Sequence, residues 1–169
     1  MHKMRIFVTA VTSIFALLLT NPAWAHLDIE GLPDSVAIIS YKQTIYVNPD
    51  DLTARNKLAM ALCKTGELEE AQKQARYVLD KDPKNFNALD GLGVIYMKMG
   101  RHEDAMKYFN EAVKINDKDV MVHVHLAAVY YKMQEKEKAR KEWQKARSLI
   151  TTGDELTKMK NELRWVSGS

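Results

Sequence analysis

The chain has 169 residues, 46% of them hydrophobic and 28% charged. That mixture supplies a core and excludes a protein embedded in a membrane. Lys and Arg number 25 against 22 Asp and Glu, too even a balance for a nucleic-acid binder, which needs a basic domain or stripe. With one cysteine, Cys63, no disulfide can form within the chain.

Residues 1–25 predict a secretory signal peptide. Lys3 and Arg5 give a short positive start, the apolar run Ile6–Leu19 follows, and Ala23 and Ala25 form an A-x-A cleavage site. The rival reading is an uncleaved anchor, but the run is short of the ~20 residues that span a bilayer. Pro22 ends the apolar helix where a protease needs extended backbone. Cleavage after Ala25 lowers the net charge from +3 to +1, because only two basic side chains leave with the segment. The expectation is a periplasmic or secreted protein with no membrane insertion after cleavage. No Cys follows the small residues and no Asn-x-Ser/Thr sequon occurs, which fits a bacterial envelope protein without a lipid anchor.

Residues 26–33 read as an extended leader, and 34–51 as one helix, with Asp34 as its N-cap after Pro33. Beyond that point a shift of 34 residues brings the same residue types back. Leu58, Leu92 and Leu126 align, each followed by a small residue, Ala59, Gly93 and Ala127. Leu62, Tyr96 and Tyr130 recur, then Lys64, Lys98 and Lys132, then Gly66 and Gly100 with Gln134 in the third copy. Ala71, Ala105 and Ala139 follow, then Ala75, Phe109 and Trp143, then Val78, Ala112 and Ala146. Ala37, Tyr41 and Pro49 stand one period before Ala71, Ala75 and Pro83, so 34–51 is the second helix of an incomplete unit. Small residues mark where helices approach most closely, and the Gly positions permit the positive φ that ends one helix and starts the next. Residues 154–166 read as a capping helix with Leu156, Met159, Leu163 and Val166 on one face, after a break at Gly153 and an N-cap at Asp154.

This pattern resembles the tetratricopeptide repeat (TPR) family. The resemblance implies an all-α solenoid of antiparallel helix pairs: full repeats at 52–85, 86–119 and 120–153, a half repeat before them and the capping helix after. It also implies that the first helix of each repeat lines a concave groove for a peptide or helix. In that groove it places Thr53, Asn56, Met60, Cys63 and Lys64 from the first repeat. Asn87, Asp90, Val94, Met97 and Lys98 come from the second, and Met121, Val124, Ala128, Tyr131 and Lys132 from the third. A Met-lined trough repacks around varied apolar side chains, and a lysine rim attracts carboxylates. The family's clamp for carboxy-terminal tails needs Lys, Asn and Arg at groove slots held here mostly by Met60, Gly91, Met121 and His125, so that mode is not expected.

No catalytic or cofactor motif occurs: no Cys-x-x-Cys, no His-Glu-x-x-His, no Gly-rich phosphate loop and no Gly-x-Ser-x-Gly. His123 and His125 are two apart on a helix and point about 200° from each other, so they do not share a metal. His123 falls in a core slot, while His125 is expected in the groove or on the surface. Cleavage would leave His26 at the N-terminus with an amine and an imidazole but no evident further metal ligand. Cys63 reads as a packing residue, with a mixed disulfide to a partner as the sharper alternative. Charge is uneven, +4 over 132–164 against −3 over 26–131, which suits docking on an acidic partner, head-to-tail self-association or a merely solvated face. The expectation is therefore no enzyme, no cofactor and no metal, but a protein-interaction module. Its leading role is a periplasmic adaptor or assembly factor for an envelope or respiratory complex. The alternative is a scaffold subunit that self-associates.

Overall fold

The computed structural model describes residues 33–167, with side chains described to residue 161. The expected signal peptide and all but the last residue of the leader lie outside the described residues. Eight helices follow in order: α1 Asp34–Val47, α2 Leu52–Thr65, α3 Leu68–Lys81, α4 Phe86–Lys98, α5 His102–Ile115, α6 Val120–Lys132, α7 Lys136–Leu149 and α8 Gly153–Ser167. They pack as adjacent pairs, α2 with α3, α4 with α5 and α6 with α7, and each second helix also packs on the next first helix. The first helices α2, α4 and α6 lie side by side, α1 covers α2, and α8 packs on α6. The expected all-helical repeat array is present.

The repeat is written into the helix ends. Asp51, Asn85 and Asp119, each 34 residues apart, cap the three first helices: their side chains accept from the backbone N–H of Ala54, Ala88, and Met121 with Val122. Each such cap satisfies donors the helix leaves orphaned. At the other end the N–H groups of Glu67, Arg101 and Glu135 each donate over 2.9 Å to the carbonyls of Leu62, Tyr96 and Tyr130. Gly66, Gly100 and Gln134 bond back to Cys63, Met97 and Tyr131. These paired bonds form three Schellman turns. Their left-handed residues have φ of 89°, 76° and 63°, so the third turn forces a glutamine into the region that glycine enters freely.

Two expected caps were misplaced. α1 starts after Pro33, with no side-chain cap, and Asp34 lies in the first turn, where its charge suits the helix dipole. α8 starts at Gly153, one residue early, and its N-cap is Thr152 instead of Asp154. The Thr152 hydroxyl accepts from the N–H of Glu155 at 3.2 Å, and the Glu155 carboxylate accepts from the N–H groups of Thr151 and Thr152 at 2.7 and 3.1 Å. This reciprocal capping box satisfies more donors than a lone aspartate. The same bonds hold the Glu155 carboxyl below its ordinary pKa. Its contribution to the start of α8 is therefore present above the unfolded carboxylate's range and lost as pH falls through the folded value.

Packing alternates small and large groups. Phe109 is buried between α4 and α5, and a Cβ at Gly93 would come within 3.0 Å of its Cε1, Cδ1 and Cζ atoms. Next to it the buried Tyr96 hydroxyl accepts from Gln72 Nε2 and Arg76 Nη2, both at 2.6 Å, and so ties the first repeat to the second. The Tyr96 ring stacks on Tyr108 at 5.3 Å between centroids. Burial, then the neighbouring Tyr96, raises the Tyr108 hydroxyl above its ordinary pKa, and the bond to Tyr96 raises the Arg76 guanidinium.

Two substitutions test this reading by thermal or urea unfolding. Gly93→Ala should destabilise by about 1–3 kcal/mol despite its better helix propensity, because Phe109 has nowhere to move, and Phe109→Leu in the same chain should recover part of the loss. Gln134→Gly should stabilise by about 1 kcal/mol by removing the left-handed strain.

Candidate protein-interaction surface

The surface to be considered is made by the first helices α2, α4 and α6, whose neighbouring packing decides which expected residues reach solvent. Cys63 and Met97 are each only 3% exposed, and Val94 and Val124 are fully buried. These four were expected to line the groove, and the structure places them in the core instead. Cys63, Val94 and Met97 are sealed where α2, α4 and their second helices meet. Val124 lies in a separate cluster with Val120, Ala146 and Met159, so the capping helix covers it. The expected open apolar trough is correspondingly reduced.

Two polar groove residues are also committed to internal bonds. Asn56 donates to Asn85 Oδ1 at 3.0 Å, the same oxygen that caps α4. Asp90 Oδ1 lies 2.8 Å from Nδ1 of His125, one repeat further on. His125, expected in the groove or on the surface, is buried and stacks on Phe109 at 5.3 Å between ring centroids. The reason is that α6 is covered by α4, α5, α7 and α8, so opposite faces of the helix are both internal. His123, on the other face, is buried as expected, but as a polar link: its Nδ1 is 2.7 Å from Glu142 Oε2 and its Nε2 is 3.0 Å from the Asp117 carbonyl.

What remains accessible is narrower and better defined. Lys64 and Lys132 are exposed and Lys98 is half-buried, while Met60, Met121 and Ala128 are half-buried and Thr53 and Asn87 exposed. Gly91 leaves room for Met60, whose sulfur would lie 3.4 Å from a Cβ there. Tyr131 stands out. It occupies the repeat slot of Cys63 and Met97, yet is 68% exposed. Cys63 and Met97 lie in the main apolar cluster, whereas α8 packs on α6 and leaves the Tyr131 ring exposed.

The inter-repeat links were not foreseen, although the 34-residue spacing of Asp51, Asn85 and Asp119 was available in the sequence. Nor was the Arg55 guanidinium, which lies 3.7 Å from the Tyr77 ring centroid and donates to the Pro49 carbonyl and Gln74. The basic excess resides mainly on α7, where Lys136, Lys138, Arg140, Lys141, Lys145 and Arg147 face two glutamates in the helix. Arg140 pairs with Glu137 at 2.7 Å and Lys138 pairs with Glu135, both exposed contacts of small energetic weight. Among the described residues no group of three His, Cys, Asp or Glu is placed to hold a metal, and no helix is long and apolar enough to cross a membrane.

Comparison with known proteins gives the fold the same identity as the geometry. Residues 56–120 match the tetratricopeptide repeat family model. No curated protein sequence matches the chain. Among solved structures, TTC0263, a thermophilic TPR protein of Thermus thermophilus, is 20% identical, with 80% of this chain and 75% of that chain covered and a TM-score of 0.69. MamA of MSR-1 is 23% identical over 72% of this chain and 70% of its own, with a TM-score of 0.59. MamA of Desulfovibrio magneticus RS-1 is 18% identical over 69% and 66%, with a TM-score of 0.61. At these identities the likeness establishes fold. The described helices form a tetratricopeptide-type array.

The buried and accessible halves of the surface predict opposite mutational outcomes. Met97→Asp should unfold the chain or lower its stability by about 3 kcal/mol or more, since it buries an unpaired charge. Tyr131→Asp should change stability by less than about 0.5 kcal/mol. Circular dichroism melts of the two variants check both.

Proposed function

We propose that the chain is a non-enzymatic interaction module that binds an amphipathic segment of another protein across α2, α4 and α6. The observation that carries this reading is Tyr131, a large exposed aromatic beside Lys132 in a slot that the other two repeats bury. Exposed tyrosines of this kind serve as interface anchors, combining large contact area with few rotatable bonds. Lys64 and Lys132 give the surface a positive edge that favours a segment with carboxylates. Met60 and Met121 adjust to apolar side chains of different shapes.

The place of action is part of the proposal. The amino-terminal pattern of Lys3, Arg5, Ile6–Leu19 and Ala23-Trp24-Ala25 supports export and cleavage. The module is then a periplasmic adaptor or assembly factor that holds components of an envelope complex. Mass spectrometry of the protein isolated from its host should find a chain beginning at His26 in the periplasmic fraction. A chain beginning at Met1 would remove the periplasmic reading.

Partner binding is tested with the proteins that co-purify from the native envelope. Tyr131→Asp should weaken their capture by about 2 kcal/mol, the scale of an interface hot spot, at an unchanged melting temperature. Lys132→Glu should weaken it mainly at low salt. The same proteins retained at the same level by both variants would show that this surface is not the binding site.

A further inference from the structure

We propose that the outward face of α1 is a self-association interface, on which α1 of a second copy docks. The face is defined by comparison with the molecule's own repeats. One period after Val36, Ile39 and Tyr46 stand Glu70, Lys73 and Asp80 in α3, and two periods after them Asp104, Lys107 and Lys114 in α5. The fold turns these slots at least partly to solvent, and α3 and α5 fill them with charge. In α1 alone of the second helices all three are apolar, and they are 44%, 67% and 88% exposed, with Val47 beside them at 79%. The inner residues Ala37 and Ile38 are buried, so among the described residues α1 packs through its other face.

The spacing says what kind of surface fits. Val36, Ile39, Gln43 and Tyr46 are separated by three, four and three residues, the alternation of a coiled-coil seam, which requires a helix as its partner. The exposed fractions amount to on the order of 500 Å² per copy and about 1,000 Å² for a pair, which reaches the lower bound of a specific interface. A second copy supplies the matching helix. In an antiparallel two-fold pairing the Tyr46 end of one α1 lies over the Val36 and Ile39 end of the other, so large faces small at both ends. Charge does not oppose this, because Asp34 and Lys42 are the only charged residues of α1 and cancel. The interface is separate from the surface bearing Tyr131, and this proposal does not rest on the binding reading of that surface.

Sedimentation equilibrium of the protein as its host processes it, over a wide concentration range, tests the proposal. The wild type should show a monomer–dimer equilibrium. The triple variant Val36→Glu, Ile39→Lys, Tyr46→Asp installs the residues of α3 and should weaken dimerisation more than about tenfold with helicity retained. Should that variant fold poorly, Ile39→Lys alone changes an exposed slot and should weaken the dimer in the same direction. Tyr131→Asp should dimerise like the wild type. A wild type that stays monomeric throughout overturns the proposal, whether or not it co-sediments with anionic lipid vesicles through this face. So does a dimer that survives the α1 substitutions, or one lost with Tyr131→Asp and kept by the triple variant.

Discussion

A helix pair of this kind has two faces to bury and only one partner helix within itself. The pair α4 and α5 closes one face through the contact of Gly93 with the Phe109 ring, where the absence of a Cβ lets the two backbones approach. The other face is closed only by a neighbour, α3 on one side and α6 on the other. Nearly every further feature of the molecule follows from this. The core is a long apolar cluster running from α1 into α6, with a second cluster where α6, α7 and α8 meet. Polar links cross each boundary, Gln72 and Arg76 to Tyr96, Asn56 to Asn85, and Asp90 to His125. A buried donor or acceptor lacking its partner costs about 1–3 kcal/mol, so these links favour one register of stacking over its alternatives.

The same constraint makes the two ends of the described array special, since no further helix pair is described beyond them. At the carboxy-terminal end α8 covers Val124 and leaves Tyr131 open, although residues in the same slot are sealed in the two preceding repeats. At the amino-terminal end of the described residues α1 packs on α2. A terminal helix in a solenoid ordinarily presents a polar outer face for solubility. α8 meets that need with Lys158 and Lys160 in solvent. α1 instead exposes Val36, Ile39 and Tyr46, the observation on which the proposed self-association rests.

The fold was legible in the sequence because it rests on repetition, and repetition survives without knowledge of any contact. The alignment of Leu58, Leu92 and Leu126 with Ala59, Gly93 and Ala127 pointed to helix pairs, and the helices pack as such adjacent pairs. Ends governed by competition between local bonds were harder. Asp154 is a good N-cap in isolation, but Thr152 with Glu155 forms two kinds of bond and shifts the start. The surface was least legible. Position within a repeat states which way a side chain points, but exposure depends on what the next pair does there. Met97 and Tyr131 share a slot and a direction, and only the covering helix separates core from surface.

This separation bears on how such an array acquires a binding site. Its polar groove positions are not free to evolve toward a ligand when, like Asn56 and Asp90, they hold repeats together. A substitution there changes stacking before it changes recognition. His125 shows the reverse traffic: a residue in a slot available for ligand contact has been drawn inward by Asp90 and the Phe109 ring. In the proposed binding mode recognition falls to Lys64, Lys132 and the exposed Tyr131 beside α8. On the proposed reading specificity concentrates where α8 leaves Tyr131 uncovered and packing makes few demands on the side chain.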